Sequence, residues 1–116
     1  MPSHTESGKE AESLAAEYLV EKGFRILYRN WRHPPFEVDL IAVKDGVPHF
    51  IEVKSRYSNR YGYPEENVSK KKIRYLLEAA SEFMARHPQF SDFRLDLLSI
   101  TTGGKPEFYF IEDVYL

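Results

Sequence analysis

The chain has 116 residues, of which 42% are hydrophobic and 15% aromatic, and its formal net charge is −2 at pH 7. This length predicts one domain whose core needs no disulfide or structural metal, and the absence of cysteine excludes disulfides and thiolate metal sites. No apolar run approaches the roughly 18 residues of a membrane span and no secretory signal opens the chain, so we expect a soluble cytoplasmic protein without membrane contact.

Helical and strand patterns follow one another along the chain in the order α-β-β-β-α-β-β. We expect residues 1–7 to form a flexible tail and residues 8–116 a single domain, with Ser7 capping a first helix that ends at Gly23. Ser69 caps a second helix after a loop over residues 56–67. The predicted strands cover residues 24–31, 37–43, 47–55, 93–100 and 107–111. This order predicts an α/β (α+β) fold, one mixed β-sheet flanked by helices.

Four charged residues interrupt the two apolar segments of the stretch EVDLIAVKDGVPHFIEVK. If Asp45-Gly46 forms a two-residue hairpin turn, Asp39 lies opposite Glu52 and Glu37 lies opposite Lys54. Because side chains alternate along a strand, all four then share one face of the sheet. The hairpin would therefore hold two carboxylates close together beside a lysine.

Like charges that lie directly opposite each other destabilise a sheet, so something must compensate. Lys54 can neutralise the carboxylates, the carboxylates can be solvated at a strand end, or a divalent cation can lie between them. Hard cations such as Mg²⁺ take oxygen ligands, and a lysine beside such a site suits phosphodiester hydrolysis. An ordinary polar face is the alternative. His33 and His49 lack ligand spacing, and we expect them to be structural.

The segment from Lys54 to Arg74 is strongly basic, with seven basic residues against two acidic ones and a net charge of +5. Such a patch favours phosphate binding, and Tyr57 and Tyr63 among the cations can stack on unpaired bases. A solvated charged face, with tyrosines packed over a sheet edge, is the alternative. The residues predicted to bind nucleic acid are Arg56, Arg60, Tyr61, Lys70, Lys71 and Lys72.

Asp39, followed after twelve residues by Glu52-Val53-Lys54, resembles the PD-(D/E)XK nuclease signature. Six segments resemble the bacterial YraN-like family of that superfamily, whose fold is similar to that of archaeal Holliday-junction resolvases. The segments are residues 11–19, 23–32, 37–42, 50–56, 72–84 and 94–100. The resemblance implies a restriction-endonuclease-like core and a Mg²⁺- or Mn²⁺-dependent endonuclease that acts on DNA, including branched or junction DNA, with a homodimer as the plausible assembly.

The resemblance also implies roles for individual residues. It makes Asp39 and Glu52 metal ligands, with the Val53 carbonyl as a third ligand, and Lys54 the catalytic lysine. It matches Glu12 to the acidic residue of the first helix that reaches the metal site. A solvated helix glutamate is the alternative for Glu12.

Glu37 and Lys72 match supporting positions of the family. Glu37 fits its Glu-x-Asp pair, or else forms a simple ion pair with Lys54, and Lys72 points toward the site, toward phosphate or into solvent. Phe36 and Ala11 stand where family members usually have glycine. The second hypothesis is therefore a catalytically silent nucleic-acid-binding protein that keeps the nuclease fold.

Overall fold

The structure is a computed structural model that describes residues 4–57 and 69–114, with side chains from residue 10 onward. Within these residues the elements follow in the predicted order. They are α1 His4–Glu21, β1 Arg25–His33, β2 Phe36–Lys44, β3 Val47–Arg56, α2 Lys70–Arg86, β4 Arg94–Thr101 and β5 Glu107–Ile111. Neither described helix is long and apolar enough to cross a membrane.

The five strands form one mixed sheet in the order β1-β2-β3-β4-β5. Neighbouring strands are antiparallel except β3 and β4, which are parallel. A parallel pair needs a crossover connection, and α2 lies in that connection. The predicted fold class is therefore confirmed as a mixed sheet with one helix on each face, consistent with a restriction-endonuclease-like core.

Two hydrophobic cores cover the two faces of the sheet, one beneath each helix. Each helix supplies an apolar stripe to its core, because residues three or four apart lie on one side of a helix. The α1 core packs Ala11, Ala15 and Leu19 against Leu40, Ile51 and Leu98. The α2 core packs Leu76, Ala80 and Phe83 against Ile41, Phe50 and Leu95.

Local sequence signals set most of the element boundaries. Gly23 ends α1 with φ 96°, and Ser69 caps α2 by accepting a hydrogen bond from the Lys72 N–H at 3.0 Å. Asp45-Gly46 forms the predicted turn with φ values of 53° and 79°, the positive values that a two-residue hairpin requires. The predicted start of α1 is wrong, because the helix already begins at His4 and Ser7 lies inside it.

The β2–β3 hairpin has the predicted register but ends early. Its ladder stops at the pair Leu40 and Ile51, so the predicted pairs beyond it, Asp39 with Glu52 and Glu37 with Lys54, do not form. The reason is a break in the alternation of β2. Leu40 packs in the α1 core whereas Val38 packs in the α2 core, although residues two apart on a regular strand face the same way.

Two residues along β3 from the end of this ladder, a buried His49–Asp96 pair joins β3 to β4. Asp96 is 0% exposed and His49 is 7% exposed. His49 Nδ1 lies 2.5 Å from Asp96 Oδ2, and the Asp113 N–H donates to the other carboxylate oxygen at 2.8 Å. The structural role predicted for His49 agrees with this pairing.

Replacing Asp96 with Ala should destabilise the protein by about 3 kcal/mol, because breaking a buried pair leaves its partner uncompensated. Urea unfolding of the variant measures the loss. Asp92→Ala is the matched control, since Asp92 forms an exposed pair with Arg94 at 2.7 Å and its loss should barely move the unfolding midpoint. Equal small effects of the two substitutions would contradict a structural role for the buried pair.

Candidate active site

Asp39 lies where β2 parts from β3. The N–H of Val53 donates a hydrogen bond to Asp39 Oδ2 at 2.8 Å. A continued ladder would have given that N–H to a backbone carbonyl of β2. The carboxylate therefore takes the place of a strand partner, and this bond fixes the side chain beside β3.

A cavity of about 250 Å³ opens at this point between the sheet and α2. It brings together carboxylates from β2 and β3 with a lysine and a tyrosine from the first turns of α2. The lining residues are Glu37, Val38, Asp39, Glu52, Lys72, Tyr75 and Leu76. Three of the four charged residues of the hairpin thus line one cavity. The lysine beside them is Lys72, whereas the hairpin register predicted Lys54.

Lys72 turns inward from the first turn of α2. Its Nζ lies 2.7 Å from Glu52 Oε1, and the Glu52 side chain is only 14% exposed. The same ammonium lies 4.6 Å from the centre of the Tyr75 ring, a distance typical of a cation–π contact. Of the three orientations predicted for Lys72, the structure shows the one toward the site.

Tyr75 is a site residue that the sequence reasoning missed. Its hydroxyl accepts a hydrogen bond from the Glu37 N–H at 2.7 Å and lies 3.3 Å from the Pro35 carbonyl oxygen. Its ring packs on Phe36 with the centroids 5.6 Å apart. Tyr75 thus ties the start of β2 to α2. The available signal was its spacing of three from Lys72, which puts both on one helix face.

The surroundings of Asp39 make the ionised form of its carboxyl group unfavourable. Burial raises the pKa of Asp39 above its ordinary value of 3.8, and the nearby carboxylates of Glu52 and Glu12 raise it further. The Val53 hydrogen bond and Lys72 act in the opposite direction. A cation bound among these carboxylates would relieve the repulsion between them.

Glu12 comes near this group from the other side of the sheet but does not line the cavity. Its Oε2 accepts a hydrogen bond from Asn30 Nδ2 at 2.8 Å, and Asn30 has a positive φ of 52° on β1. Its charge still acts on Asp39. In the described part of the chain, no three His, Asp or Glu side chains gather closely enough to hold a metal by themselves.

Glu37 and Lys54 lie apart from the pairing that the sequence predicted. Glu37 forms an exposed ion pair with Arg32 at 3.5 Å, because β1 and not β3 lies beside this end of β2; the predicted Glu37–Lys54 pair is wrong. Lys54 is exposed beside Ser99 of β4. Its side chain makes no hydrogen bond or ion pair with another described residue. The Val53 carbonyl stays a predicted ligand.

The predicted nucleic-acid residues divide between described and undescribed parts of the chain. Lys70 and Lys71 are exposed on the first turn of α2 beside Lys72. The Arg56 carbonyl accepts a hydrogen bond from the Thr102 N–H at 2.8 Å at the end of β3, and the following Tyr57 is 79% exposed. Arg60, Tyr61 and Tyr63 lie outside the described residues.

Replacing Asp39 with Asn should raise the melting temperature at neutral pH. A raised pKa means that the folded protein holds the Asp39 proton more tightly than the unfolded chain does, so stability is lost as pH rises from 3.8 through the folded-state pKa. Asparagine removes that loss and can still accept the Val53 hydrogen bond. The advantage of the variant should therefore shrink as pH falls toward 3.8, which thermal melts over a pH series will measure.

Asp92→Asn is the control, because hydrogen bonds from Arg94 and the Phe93 N–H lower the pKa of Asp92. This substitution should not stabilise the protein at any pH. An Asp39→Asn variant that melts below the wild type at neutral pH would contradict the charge crowding inferred around Asp39.

Comparison with known proteins places the chain in a family. A UPF0102 protein of Chloroherpeton thalassium is 35% identical over 99% of this chain and 97% of its own length, and one of Persephonella marina is 40% identical over 84% of each. A solved structure of SfsA from Pyrococcus furiosus with Ca²⁺ has 19% identity and a TM-score of 0.33, covering 90% of this chain and 62% of that one. The family model described as "Uncharacterised protein family UPF0102" matches residues 11–100, and the chain belongs to that family.

Proposed function

We propose that the protein is a Mg²⁺- or Mn²⁺-dependent endonuclease that hydrolyses DNA phosphodiester bonds, with branched or junction DNA as its substrate. The proposal includes membership of the PD-(D/E)XK nuclease superfamily and a homodimer that suits a two-fold junction. The observation that carries it is that Asp39 and Glu52 line one cavity of about 250 Å³. Lys72, from the lysine-rich first turn of α2, lines the same cavity.

The residues present fit a hard divalent cation. The ligands that the cavity offers are carboxylate oxygens, which such cations prefer, and Mg²⁺ is usually held by one or two carboxylates together with waters and substrate phosphate. Asp39 and Glu52 meet that requirement without a third acidic ligand. The carboxylates of Glu52 and Glu12 contribute to the raised pKa of Asp39, and their charges would favour a bound cation.

Each residue then has a defined task in hydrolysis. Asp39 and Glu52, with the Val53 carbonyl, would hold the metal, which when bound supplies charge stabilisation and a more acidic water. Lys54, whose side chain forms no hydrogen bond or ion pair with another described residue, would orient the attacking water. Glu12 would complete the surrounding acidic shell through its effect on Asp39.

The first turn of α2 would bind the phosphate backbone. It carries Lys70, Lys71 and Lys72 and no acidic residue. Cations at this end of a helix oppose the helix dipole and cost a few tenths of a kcal/mol each. An anionic ligand beside the cavity would offset that cost, because the helix N-terminus and the three lysines all attract phosphate.

Cleavage of a branched DNA substrate with Mg²⁺ or Mn²⁺ is the test of the proposal. Asp39→Asn and Glu52→Gln should each lower the rate by about a hundredfold or more, since each removes a ligand of the metal that stabilises the transition state. Removal of the metal with EDTA should abolish cleavage by the wild type. Gel assays of labelled four-way junctions, with linear duplex for comparison, measure both effects.

Glu78→Gln is the matched control for these variants. Glu78 is an exposed acid on α2 that does not line the cavity, so this variant should cleave at the wild-type rate. Unchanged cleavage by Asp39→Asn, or cleavage by the wild type in excess EDTA, would contradict the proposed site.

A second candidate function is a catalytically silent DNA-binding protein with the same fold. The observation that favours it is the contact of Lys72 with Glu52 at 2.7 Å, which already neutralises one of the two carboxylates. Such a protein would bind junction DNA equally well with EDTA or with Mg²⁺ and would never nick it. Metal-dependent cleavage that Asp39→Asn abolishes would exclude this candidate.

Lys70→Ala and Lys71→Ala should weaken DNA binding through the loss of phosphate contacts. The slope of log K against log salt should become shallower by about one for each contact removed. Fluorescence anisotropy over a salt series measures the slope in the metal-free protein.

Lys22→Ala removes the same charge just after the C-terminal end of α1 and serves as the control. Its salt slope should match that of the wild type. Equal effects of the α1 and α2 substitutions would mean that overall charge, and not a phosphate site on α2, governs the binding.

A further inference from the structure

Lys72 places a positive charge in the cavity that Asp39 and Glu52 line. We propose that its ammonium is an internal counter-cation that competes with the divalent metal for Glu52 and must leave Glu52 when the metal binds. The inference rests on the proposed metal site and adds a step to it. It concerns metal binding itself and not only the rate of cleavage.

The contacts on Glu52 support competition rather than a permanent structural pair. Lys72 Nζ lies 2.7 Å from Glu52 Oε1, and the lysine is more than twice as exposed as the glutamate, 37% against 14%. Glu52 is the less mobile partner, because it belongs to a strand that pairs with β4 at this residue. Lys72 is on the first turn of a helix and has a long side chain that can turn toward the cavity mouth.

Tyr75 provides the second contact that holds Lys72 in the cavity. The ammonium lies 4.6 Å from the ring centre, while the hydroxyl is fixed by the Glu37 N–H at 2.7 Å. The ring thus stays in place whether or not Lys72 bonds to Glu52. Tyr75 is therefore a positioning residue, which would keep the displaced ammonium near the phosphate that accompanies the metal.

Calorimetric titration of Mn²⁺ into the full chain, without DNA, tests the competition. Lys72→Met keeps a side chain of similar length without the charge, and its Kd for Mn²⁺ should be about fivefold lower than that of the wild type. This factor corresponds to the roughly 1 kcal/mol of a partly exposed ion pair. The metal-free variant should also melt at a lower temperature and gain more from added Mn²⁺ than the wild type gains.

Two lysine variants separate direct competition from a general loss of positive charge. Lys71→Met removes an exposed charge from the same helix turn, and Lys54→Met removes one from β3 two residues after Glu52. Both should bind Mn²⁺ within about twofold of the wild type, because neither lysine contacts the carboxylates. Tightening by either variant that equals the effect of Lys72→Met would overturn the inference in favour of a general field effect.

Tyr75 offers an independent pair of variants. Tyr75→Phe keeps a ring that can still pack on Phe36 and should retain the wild-type Kd for Mn²⁺, whereas Tyr75→Leu removes the ring and should tighten binding. A purely structural role would instead make both variants bind alike. A single melting transition of the Leu variant will confirm that it is folded. The Phe variant then shows whether an aromatic ring alone restores the wild-type Kd.

The outcomes distinguish the inference from the proposed function. Equal Kd values for the wild type and Lys72→Met would overturn the competition and leave the metal site standing. Binding by both proteins with the expected difference, but no cleavage of DNA, would support the competition and remove the nuclease. Absence of Mn²⁺ binding in both proteins would overturn the metal site and the inference together.

Discussion

The hydrogen bond from the Val53 N–H to the Asp39 carboxylate is the constraint on which the candidate site depends. A hairpin ladder normally pairs each such N–H with a carbonyl of the neighbouring strand. Here β2 changes the face of its side chains between Val38 and Leu40 and leaves β3 at the pair Leu40–Ile51. The carboxylate closes the ladder instead, at 2.8 Å. The cavity exists because the two strands part at this point.

The carboxylates of Asp39 and Glu52 are neutralised only in part within the protein, by the ammonium of Lys72. Burial and two neighbouring carboxylates raise the pKa of Asp39, and the Lys72 ammonium acts in the opposite direction. The same ammonium forms an ion pair with Glu52. The neutralising charge is a single ammonium at the end of a long, partly exposed side chain. Under the proposal of a metal site, a site neutralised in this way would exchange its own cation for a metal ion. A buried pair such as His49–Asp96 differs in this respect, because neither side chain can turn toward solvent.

The fold was predictable from the sequence because its signals are local. Gly23, Asp45-Gly46 and Ser69 set the ends of elements through backbone conformation and capping, and periodicity then assigns helices and strands. The start of α1 was not predictable from the capping spacing at Ser7, because a cap signal inside a longer helical stretch does not show which turn comes first. Element boundaries of this kind depend on the rest of the helix.

The site was only partly predictable because it depends on an irregularity. Asp39 and Glu52 were found from hairpin pairing and the nuclease resemblance, and they do share the cavity. The position of Lys72 in the cavity was one of three orientations left open, and the position of Lys54 outside the cavity lining was missed, because an ideal ladder gives no sign that β2 leaves β3. Tyr75 was missed because an aromatic residue next to an apolar helix stripe resembles a core residue. The hydrogen bonds of the Tyr75 hydroxyl with the backbone near Glu37 depend on tertiary packing alone.

The central claim is that the cavity between Asp39 and Glu52 is a divalent metal site. The most direct measurement is an anomalous difference map from crystals of the protein soaked in Mn²⁺. We predict a peak in contact with carboxylate oxygens of both residues, with the Lys72 ammonium moved away from Glu52. Crystals at saturating Mn²⁺ that show no peak in the cavity, and in which Lys72 still bonds to Glu52, would contradict the account.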